Sequence, residues 1–518
     1  MRFLLLLALC LSALVLHGVV VRAASGVQST MGIVNGKGEV RLDPSVQHIP
    51  LQPELQQLRP PPARIPAAFD IFVGLSVFRD GYRCAKTIFT GFKRARNPDR
   101  LYFGVVDQVN EGDDKCIVEF CKMAAAEWPE YGACRFREHI RIDERTADAS
   151  RGPTLARHYQ QKLLRNEEFC LQLDSHSIFT NNWDENIVAD WKQINNEMAV
   201  LTTYLHHIHD FVDDDGNNHV PGSLPHLCTT IRGGNGLVRN EGASMISGSK
   251  IPQLTALWGA GLSFSKCHAE RRVLVDSHTL WMFDGEEFLR SSHLWTYGYD
   301  LYSPSPLGSV VYHNYSKAPA RFENVKVDQK QKEKETEMGN NRFKLIVGQP
   351  FKGPVDALEM DKFAYGTVRS FQTYLNFSGV TFEEGKTDQA SCEQLHWVPY
   401  EKPEEVEKIV GGGWALYPTP QEPEPPRNHV EPMAEDPEND GPVEPQLQDK
   451  HAEHGAGGDE PKEAKLREEP VGGVPSGADK ADAVAGSGGV FYMVFFVGVF
   501  AYVAFSNEDL RRQCGSRN

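Results

Sequence analysis

Three motifs that would point to common functions are missing from this sequence. It has no Cys-x-x-Cys pair with zinc-finger spacing, no Gly-x-Ser-x-Gly nucleophile elbow and no His-Glu-x-x-His zinc motif. These absences argue against a zinc finger and against the hydrolases that use the other two motifs. A basic excess is missing as well, since the formal net charge is −16 at pH 7. Because binding to phosphates favours a clustered basic face, we expect no nucleic-acid partner.

Two long apolar runs lie near the ends of the chain. Residues 3–21 follow Arg2 and precede small residues, which is typical of a signal peptide, and the run is also long enough for an uncleaved signal anchor. Residues 490–505 predict a transmembrane helix, and the arginine pair that follows predicts a cytoplasmic tail at 506–518. The chain between them would then be lumenal, in a membrane of the secretory pathway, with the Golgi as the expected compartment.

The cysteine count fits an oxidising compartment. Eight of the ten cysteines lie between the two apolar runs, and an even number allows up to four disulfides. The sequence leaves their pairing open. The eight are Cys84, Cys116, Cys121, Cys134, Cys170, Cys228, Cys267 and Cys392.

Composition divides the chain into segments. Residues 1–24 form the signal peptide or anchor, and the Pro-rich residues 25–67 are interpreted as a stem. Residues 68–400 have a globular composition. Residues 401–489 become rich in Pro, Glu, Asp, Gly and Ala, a mixture that buries too little apolar surface to fold, so we expect a disordered stalk.

The globular part alternates apolar strands with helical patterns. Continuous apolar runs at 69–78 and 100–109 predict strands that are covered on both faces, and strands are also predicted at 167–174 and 198–205. In segments between these strands, apolar residues recur at the spacing of a helix face. This alternation predicts an α/β fold with a mostly parallel sheet, in which ligands bind beyond the carboxyl ends of the strands.

A candidate metal site follows one of these strands. Asp174 and His176 stand at the end of the strand predicted at 167–174, and His313 ends a later apolar strand. A carboxylate and two imidazoles could hold one divalent cation, and mixed oxygen and nitrogen ligands suit Mn²⁺. The cation would stabilise a departing nucleotide diphosphate. The alternative for Asp174 and His176 alone is an ordinary turn with a capping residue.

Two further groups resemble metal sites less convincingly. Asp213, Asp214 and Asp215 lie in a polar loop near several histidines, where charges are usually only solvated. Asp276-Ser277-His278 repeats the Asp-x-His pattern, but no strand leads into it at the right place, so we expect a surface turn.

Paired acids occur later in the chain at Glu286 and Glu287, followed by the aromatic segment at 291–304. Carboxylates after a glycine can bind sugar hydroxyls, and aromatic faces can pack on a pyranose ring. The alternative is a plain turn followed by core aromatics.

In their order along the chain, these segments resemble a known family. IFVGLSVFRD, RGPTLAR, EEFCLQLDSHSIF, GAGLSFS, MFDGEEFLRSSHLWTYGYDLYSP and VVYHNYSK are similar to segments of the protozoan and microbial polypeptide α-N-acetylglucosaminyltransferases, glycosyltransferase family 60. The likeness covers roughly residues 68–385. It implies a GT-A fold, with a Rossmann-like nucleotide-binding half and an acceptor half. It also implies UDP-GlcNAc as the donor and transfer with retention of the α configuration.

The resemblance also implies roles for individual residues. A more distant similarity to mucin-type polypeptide GalNAc transferases implies that Asp174, His176 and His313 hold Mn²⁺. Ser76, Asp107 and Arg157 would then contact the nucleotide, with Asp107 at the uridine, and Glu286 or Glu287 would contact the donor sugar.

The expected function is transfer of GlcNAc from UDP-GlcNAc to Thr or Ser hydroxyls of a lumenal mucin-like acceptor protein. Family members that act on a cytosolic hydroxyproline lack a secretory signal, whereas residues 1–24 of this chain are expected to be a signal peptide or anchor. The alternative is a catalytically silent, lectin-like surface receptor on the same fold.

Overall fold

The computed structural model describes residues 30–33 and 39–411. All of them belong to one of the two units of the chain, Met1–Pro426. The predicted signal segment, the transmembrane segment at 490–505, the cytoplasmic tail and most of the predicted stalk lie outside the described residues. Within the described ranges, no helix is long and apolar enough to cross a membrane.

The described residues form ten α-helices, six short 3₁₀ turns and sixteen strands. The helices are α1 (Gly81–Arg94), α2 (Cys116–Glu127), α3 (Pro153–Gln161), α4 (Trp183–Ile194), α5 (Ile208–Phe211), α6 (Cys267–Arg272), α7 (Glu286–Thr296), α8 (Gln329–Ile346), α9 (Phe371–Ser378) and α10 (Pro403–Val410). The strands are β1 (Thr30–Ile33), β2 (Glu39–Leu42), β3 (Ile71–Phe78), β4 (Leu101–Val109), β5 (Ile140–Thr146), β6 (Phe169–Asp174), β7 (Ser177–Phe179), β8 (Ala199–Thr203), β9 (Ser223–His226), β10 (Thr230–Arg232), β11 (Val238–Asn240), β12 (Ser244–Ser247), β13 (Gln253–Thr255), β14 (Leu262–Lys266), β15 (Asp300–Ser303) and β16 (Val311–His313).

A central sheet of eight strands has the order β13-β15-β8-β14-β6-β3-β4-β5. Strands β6, β3, β4 and β5 run parallel to one another, as do β8 and β15. The expected α/β class with a parallel-rich sheet is confirmed. Strand β14 was not predicted, and it pairs antiparallel with both β6 and β8. It therefore joins the two parallel groups into one sheet.

The central strands are apolar because both faces of the sheet are covered. Val73, Leu75 and Val77 of β3 are fully buried, as expected for a parallel strand between two helical layers. In β8, Leu201 belongs to the apolar cluster that includes α1 and α4, whereas Val200 belongs to a second cluster with α6 and α7. Since neighbouring strand residues point to opposite faces, these two clusters lie on opposite sides of the sheet.

Smaller sheets flank this core. A four-stranded antiparallel sheet has the order β2-β1-β12-β9, and β10 pairs with β11 and β16 with β7. The second part of the predicted stem also packs on the domain. The side chain of Gln47 donates to the carbonyl of Pro252 at 3.1 Å, and its carbonyl oxygen accepts from the amide of Leu254 at 2.8 Å.

Four disulfides connect all eight cysteines of the described domain, which confirms that the cysteines are paired. Cys84–Cys116 ties α1 to α2, and Cys170–Cys267 ties β6 to α6. Cys121–Cys134 closes a short loop, whereas Cys228–Cys392 joins residues 164 positions apart.

Candidate active site

The carboxyl ends of several strands meet at one edge of the central sheet. Ser76 of β3 pairs in register with Asp174 of β6, and Val77 pairs with Asp107 of β4. Because β14 runs the opposite way, its beginning lies beside the end of β6, with Leu262 opposite Leu173. This edge is where a ligand site is expected in such a sheet.

A cleft with a volume of about 370 Å³ opens at this edge. It brings together five of the eight residues that the sequence singled out, although they come from four separate segments of the chain. Its polar lining includes Arg157, Asp174, Tyr204, Glu286, Glu287 and His313.

The two halves of the candidate metal site meet through a two-stranded ribbon. Strand β16 pairs antiparallel with β7, so that His313 stands opposite Ser177. The amide of Asn314 also donates to the carbonyl of His176 at 2.9 Å. As a result, His313 Nε2 lies 3.4 Å from Asp174 Oδ2, and the rings of His176 and His313 are 4.5 Å apart. The sequence predicted this long-range meeting.

The spacing of these atoms decides how well they fit a cation. Two atoms that each bind one cation at about 2.1 Å are about 3.0–3.4 Å apart, and the 3.4 Å between His313 Nε2 and Asp174 Oδ2 matches this value. His313 Nδ1 is buried and has no hydrogen-bond partner in the described part of the chain. His176 is less well placed, because its Nδ1 lies 3.8 Å from Asp80 Oδ2.

The three side chains therefore fit a cation only in part. Among residues 30–33 and 39–411, no group of three or more His, Cys, Asp or Glu side chains is already arranged to hold a metal ion. To complete the set, the His176 ring would have to turn away from Asp80 and toward Asp174.

Arg157 links the candidate metal site to the paired acids. Its guanidinium forms an ion pair with Glu286 and lies 3.7 Å from Asp174 Oδ1. Burial alone would raise the pKa of Asp174, but the hydrogen bond to His313 and the charge of Arg157 outweigh it and lower that pKa. Burial lowers the pKa of His176 to about 4, so its imidazole is neutral at physiological pH, as a metal ligand must be.

Glu287 faces the cleft from the first turn of α7. Its carboxylate accepts from the Tyr204 hydroxyl at 2.6 Å and from the Ala260 amide at 3.0 Å. Burial raises its pKa to about 7, although both hydrogen bonds favour the ionised form. Glu286 is only 7% exposed and is engaged by Arg157, so Glu287 is the more available of the two carboxylates.

Two predicted nucleotide contacts lie outside this cleft. The Ser76 hydroxyl donates to Gln160 at 2.9 Å. Asp107 is 1% exposed and accepts from the Cys116 amide at 2.8 Å, and burial raises its pKa to about 6. In this conformation Asp107 is not accessible to a uridine, and a direct contact would require the start of α2 to move.

The other acidic groups are separate from the cleft. Asp213 accepts hydrogen bonds from Asn217 within its own loop. The expected turn at 276–278 is present, and the His278 amide donates to Asp276 at 2.9 Å. Asp276 itself is only 8% exposed and pairs with Arg342 Nε at 2.6 Å. Spacing along the chain does not predict this pair, since Arg342 lies on α8, 66 positions after Asp276.

Comparison with known proteins defines the family. A family model described as "Glycosyltransferase (GlcNAc)" matches residues 70–131 and 120–384, together more than half of the chain. The chain belongs to this glycosyltransferase family. The match contains every residue of the candidate site, from Ser76 to His313. No curated protein sequence matches the chain significantly.

Several solved structures are similar to parts of this glycosyltransferase at low identity and low TM-score. GalNAc-T7 with UDP, GalNAc and Mn²⁺ is 14% identical over 60% of this chain and 56% of that one, with a TM-score of 0.39. TarS 1–349 of S. aureus in complex with UDP is 10% identical over 53% of this chain and 72% of that one (TM-score 0.29). The mannosyltransferase PcManGT from Pyrobaculum calidifontis with GDP-Man and Mn²⁺ is 12% identical over 57% and 69% (TM-score 0.30). The chain spans just over half of the GalNAc-T7 structure, and none of these similarities transfers a donor, a metal or an acceptor to this glycosyltransferase.

Three residues of α1 and its N-cap hold the glycosyltransferase's candidate site together and were not predicted from the sequence. Thr87 Oγ1 lies 2.9 Å from the carbonyl of Ser175 and accepts from the amide of Ser177 at 2.9 Å, which fixes the turn between β6 and β7. Arg83 forms an ion pair with the buried Asp80 at 2.5 Å and donates to the carbonyl of Ser316 at 3.1 Å. The RD pair in IFVGLSVFRD and the helical spacing that follows were the available signal.

Proposed function

We propose that this glycosyltransferase moves GlcNAc from UDP-GlcNAc to Thr or Ser hydroxyls of lumenal mucin-like proteins, with retention of the α configuration and with a divalent cation such as Mn²⁺. The observation that carries the proposal is the meeting of Asp174 and His313 in one cleft with Arg157, with the His176 ring beside that of His313. These side chains suit a cation and a diphosphate at the sheet edge where nucleotides bind in related architectures.

Asp174 and His313 would hold the cation, and His176 would join them. When bound, the cation supplies Lewis-acid stabilisation of the negative charge that develops on the departing diphosphate. Arg157 is a fixed positive charge beside the same carboxylate, because Glu286 holds it from the other side. A charge that is positioned before the reaction stabilises the transition state without reorganisation.

The remaining polar groups suit the sugar. Glu287 is held by Tyr204 and Ala260, so its carboxylate is fixed at the cleft. In the proposed reaction the acceptor hydroxyl oxygen forms a bond to the anomeric carbon as the bond to the diphosphate breaks. UDP leaves with the electron pair and takes up the hydroxyl proton. Attack on the face from which UDP departs retains the configuration.

The proposal extends to the setting of the enzyme. The four disulfides support folding in an oxidising compartment such as the lumen of the secretory pathway. We propose a Golgi enzyme of glycosyltransferase family 60 with a GT-A domain, a stem, a stalk and membrane attachment through the terminal apolar segments.

A panel of sugar nucleotides tests this function. The purified full-length chain is incubated with UDP-GlcNAc, UDP-GalNAc, UDP-Glc or GDP-Man and a Thr-rich peptide, with Mn²⁺ or with EDTA. We expect UDP release and a peptide carrying one HexNAc only with UDP-GlcNAc and Mn²⁺. Product formed from another donor would contradict the donor assignment. Absence of cleavage of every donor would favour the silent, lectin-like receptor.

A further inference from the structure

Trp281 has a backbone conformation that is rare for its residue type. Its φ is +60°, in the left-handed region, which bulky residues seldom adopt without a constraint from their surroundings. The residue stands directly before the loop that leads through Phe283, Asp284 and Gly285 into α7. All three line the cleft, as do the first two residues of α7.

Neighbouring backbone packs tightly on both sides of Trp281. Its amide donates to the carbonyl of Arg151 at 2.6 Å. A Cβ atom on Gly152 would lie 3.3 Å from the Cα of Trp281, and one on Gly339 of α8 would lie 2.5 Å from the carbonyl oxygen of Leu280. The segment is thus held between the residues before α3 and the middle of α8.

The indole ring is held by a charged cluster outside the cleft. Its Nε1 donates to Glu335 Oε2 of α8 at 2.8 Å, and the same oxygen pairs with Arg151 Nε at 2.9 Å. Lys332 Nζ lies 4.6 Å from the centre of the ring. Because the ring is 8% exposed, these interactions are only weakly screened by solvent.

The loop after Trp281 is fixed at its other end by Glu286, which pairs with Arg157. Between these ends, Phe283 is 62% exposed. Asp284 is held more loosely, by Arg239 at 3.5 Å and by a hydrogen bond from Asn235 to its carbonyl at 3.1 Å. Residues 283–285 therefore form a wall of the cleft whose backbone path depends on the conformation of Trp281.

We propose that Trp281 is a positioning residue for the loop at 282–285, and that Glu335 is the partner that holds it in place. The catalytic consequence rests on the proposed function, because the loop would then form one wall of the donor and acceptor site. The inference assigns a role in this reaction to α8, a largely charged helix that contributes no residue to the cleft.

Three variants separate the hydrogen bond from the rest of the cluster. Glu335→Ala removes the acceptor, Trp281→Phe removes the indole donor, and Glu335→Gln keeps an oxygen that can accept from the indole. We expect faster hydrogen exchange at the amides of 282–285 and about ten-fold lower kcat/KM for GlcNAc transfer in the first two. Glu335→Gln should restore most of both. The double variant Trp281→Phe/Glu335→Ala should lose no more than either single variant.

The matched control is Glu333→Ala on the same helix, where Glu333 accepts only an exposed hydrogen bond from Gln329. It should leave exchange and transfer unchanged. UDP affinity should stay within two-fold of wild type in all variants. Unchanged exchange in Glu335→Ala and Trp281→Phe would overturn the inference, as would loss of UDP binding together with a lower unfolding midpoint. If the wild-type protein transfers no sugar but the two variants still show faster exchange at 282–285, the proposed function fails and the positioning role of Trp281 stands.

Discussion

Arg83 donates from its guanidinium to the backbone carbonyl of Ser316, which lies 3.1 Å away in space and 233 positions later in the chain. The same side chain pairs with Asp80, whose carboxylate also faces His176 at 3.8 Å. Helix α1 and its N-cap thus contact both segments that carry the proposed metal ligands. Groups that orient ligands in this way commonly affect metal affinity nearly as much as the ligands themselves.

Replacing Arg83 by Ala should therefore weaken Mn²⁺ binding and GlcNAc transfer by about 10–100-fold. Binding is measured by titration calorimetry and transfer by product mass. Arg79→Ala is the control, because Arg79 follows the same strand but pairs with Asp113 at 2.7 Å. It should bind Mn²⁺ like the wild type. Equal affinities in both variants would show that Arg83 does not orient the site.

His313→Ala should abolish Mn²⁺-dependent transfer while the fold persists, since His313 Nε2 faces Asp174 at 3.4 Å in the cleft. His219→Ala is the matched control, because His219 belongs to the separate acidic loop and contacts Asp213 at 3.3 Å. Transfer and the unfolding midpoint are measured for both. Full transfer by the His313 variant would remove that residue from the site, and lost transfer in the His219 variant would point to the acidic loop instead.

The stability of the domain should depend on pH through Asp190. Burial raises the pKa of this carboxyl from 3.8 to about 7. Between these values the folded protein holds a proton that the unfolded chain has released, so stability falls as the pH rises, by up to about 1.4 kcal/mol per pH unit for one proton. The carboxyl accepts from the amide and hydroxyl of Ser305, and an Asn side chain can satisfy both groups because the hydroxyl can reverse its role.

Asp190→Asn should therefore flatten the dependence of the unfolding free energy on pH between about pH 4 and 7. Urea unfolding at several pH values, with the disulfides intact, measures it. Asp107 and Glu287 also have raised pKa values and leave a residual slope in both proteins. Parallel curves for the variant and the wild type would contradict the assignment.

The two disulfides at Cys228–Cys392 and Cys121–Cys134 should differ in their contribution to stability. They span 164 and 13 positions, and the loss of loop-closure entropy predicts costs of about 5 and about 3 kcal/mol when each pair is replaced by Ala. Urea unfolding of the two double variants checks this order. The reverse order would contradict the prediction that the disulfide closing the longer loop constrains the unfolded chain more strongly.

Much of the architecture follows from the sequence because the central strands are buried on both faces. The apolar runs at 69–78 and 100–109 correspond to β3 and β4. Strand β14 could not be assigned in the same way, because two of its five residues are serines and it forms no continuous apolar run. Its place between β6 and β8 also depends on pairing across the whole sheet.

The candidate site was predicted only in part. The position of Asp174 follows from the rule that ligand residues gather at the carboxyl ends of strands, whereas His313 reaches it through the pairing of β16 with β7. Three other features could not be predicted from the sequence. They are the ion pair of Arg157 with Glu286, the burial of Asp107 and the hydrogen bond from Arg83 to the carbonyl of Ser316. Each depends on distances between side chains from separate elements, which spacing along the sequence does not encode.

The pairing of β7 with β16 has a consequence for biosynthesis. During translation the first parallel strands leave the ribosome long before Val311–His313, and large domains often begin to fold before they are complete. A nascent or prematurely ended chain that stops before His313 lacks both this side chain and the carbonyl of Ser316 to which Arg83 donates. The order of synthesis therefore completes the proposed site only after the parallel strands of its other half have been made.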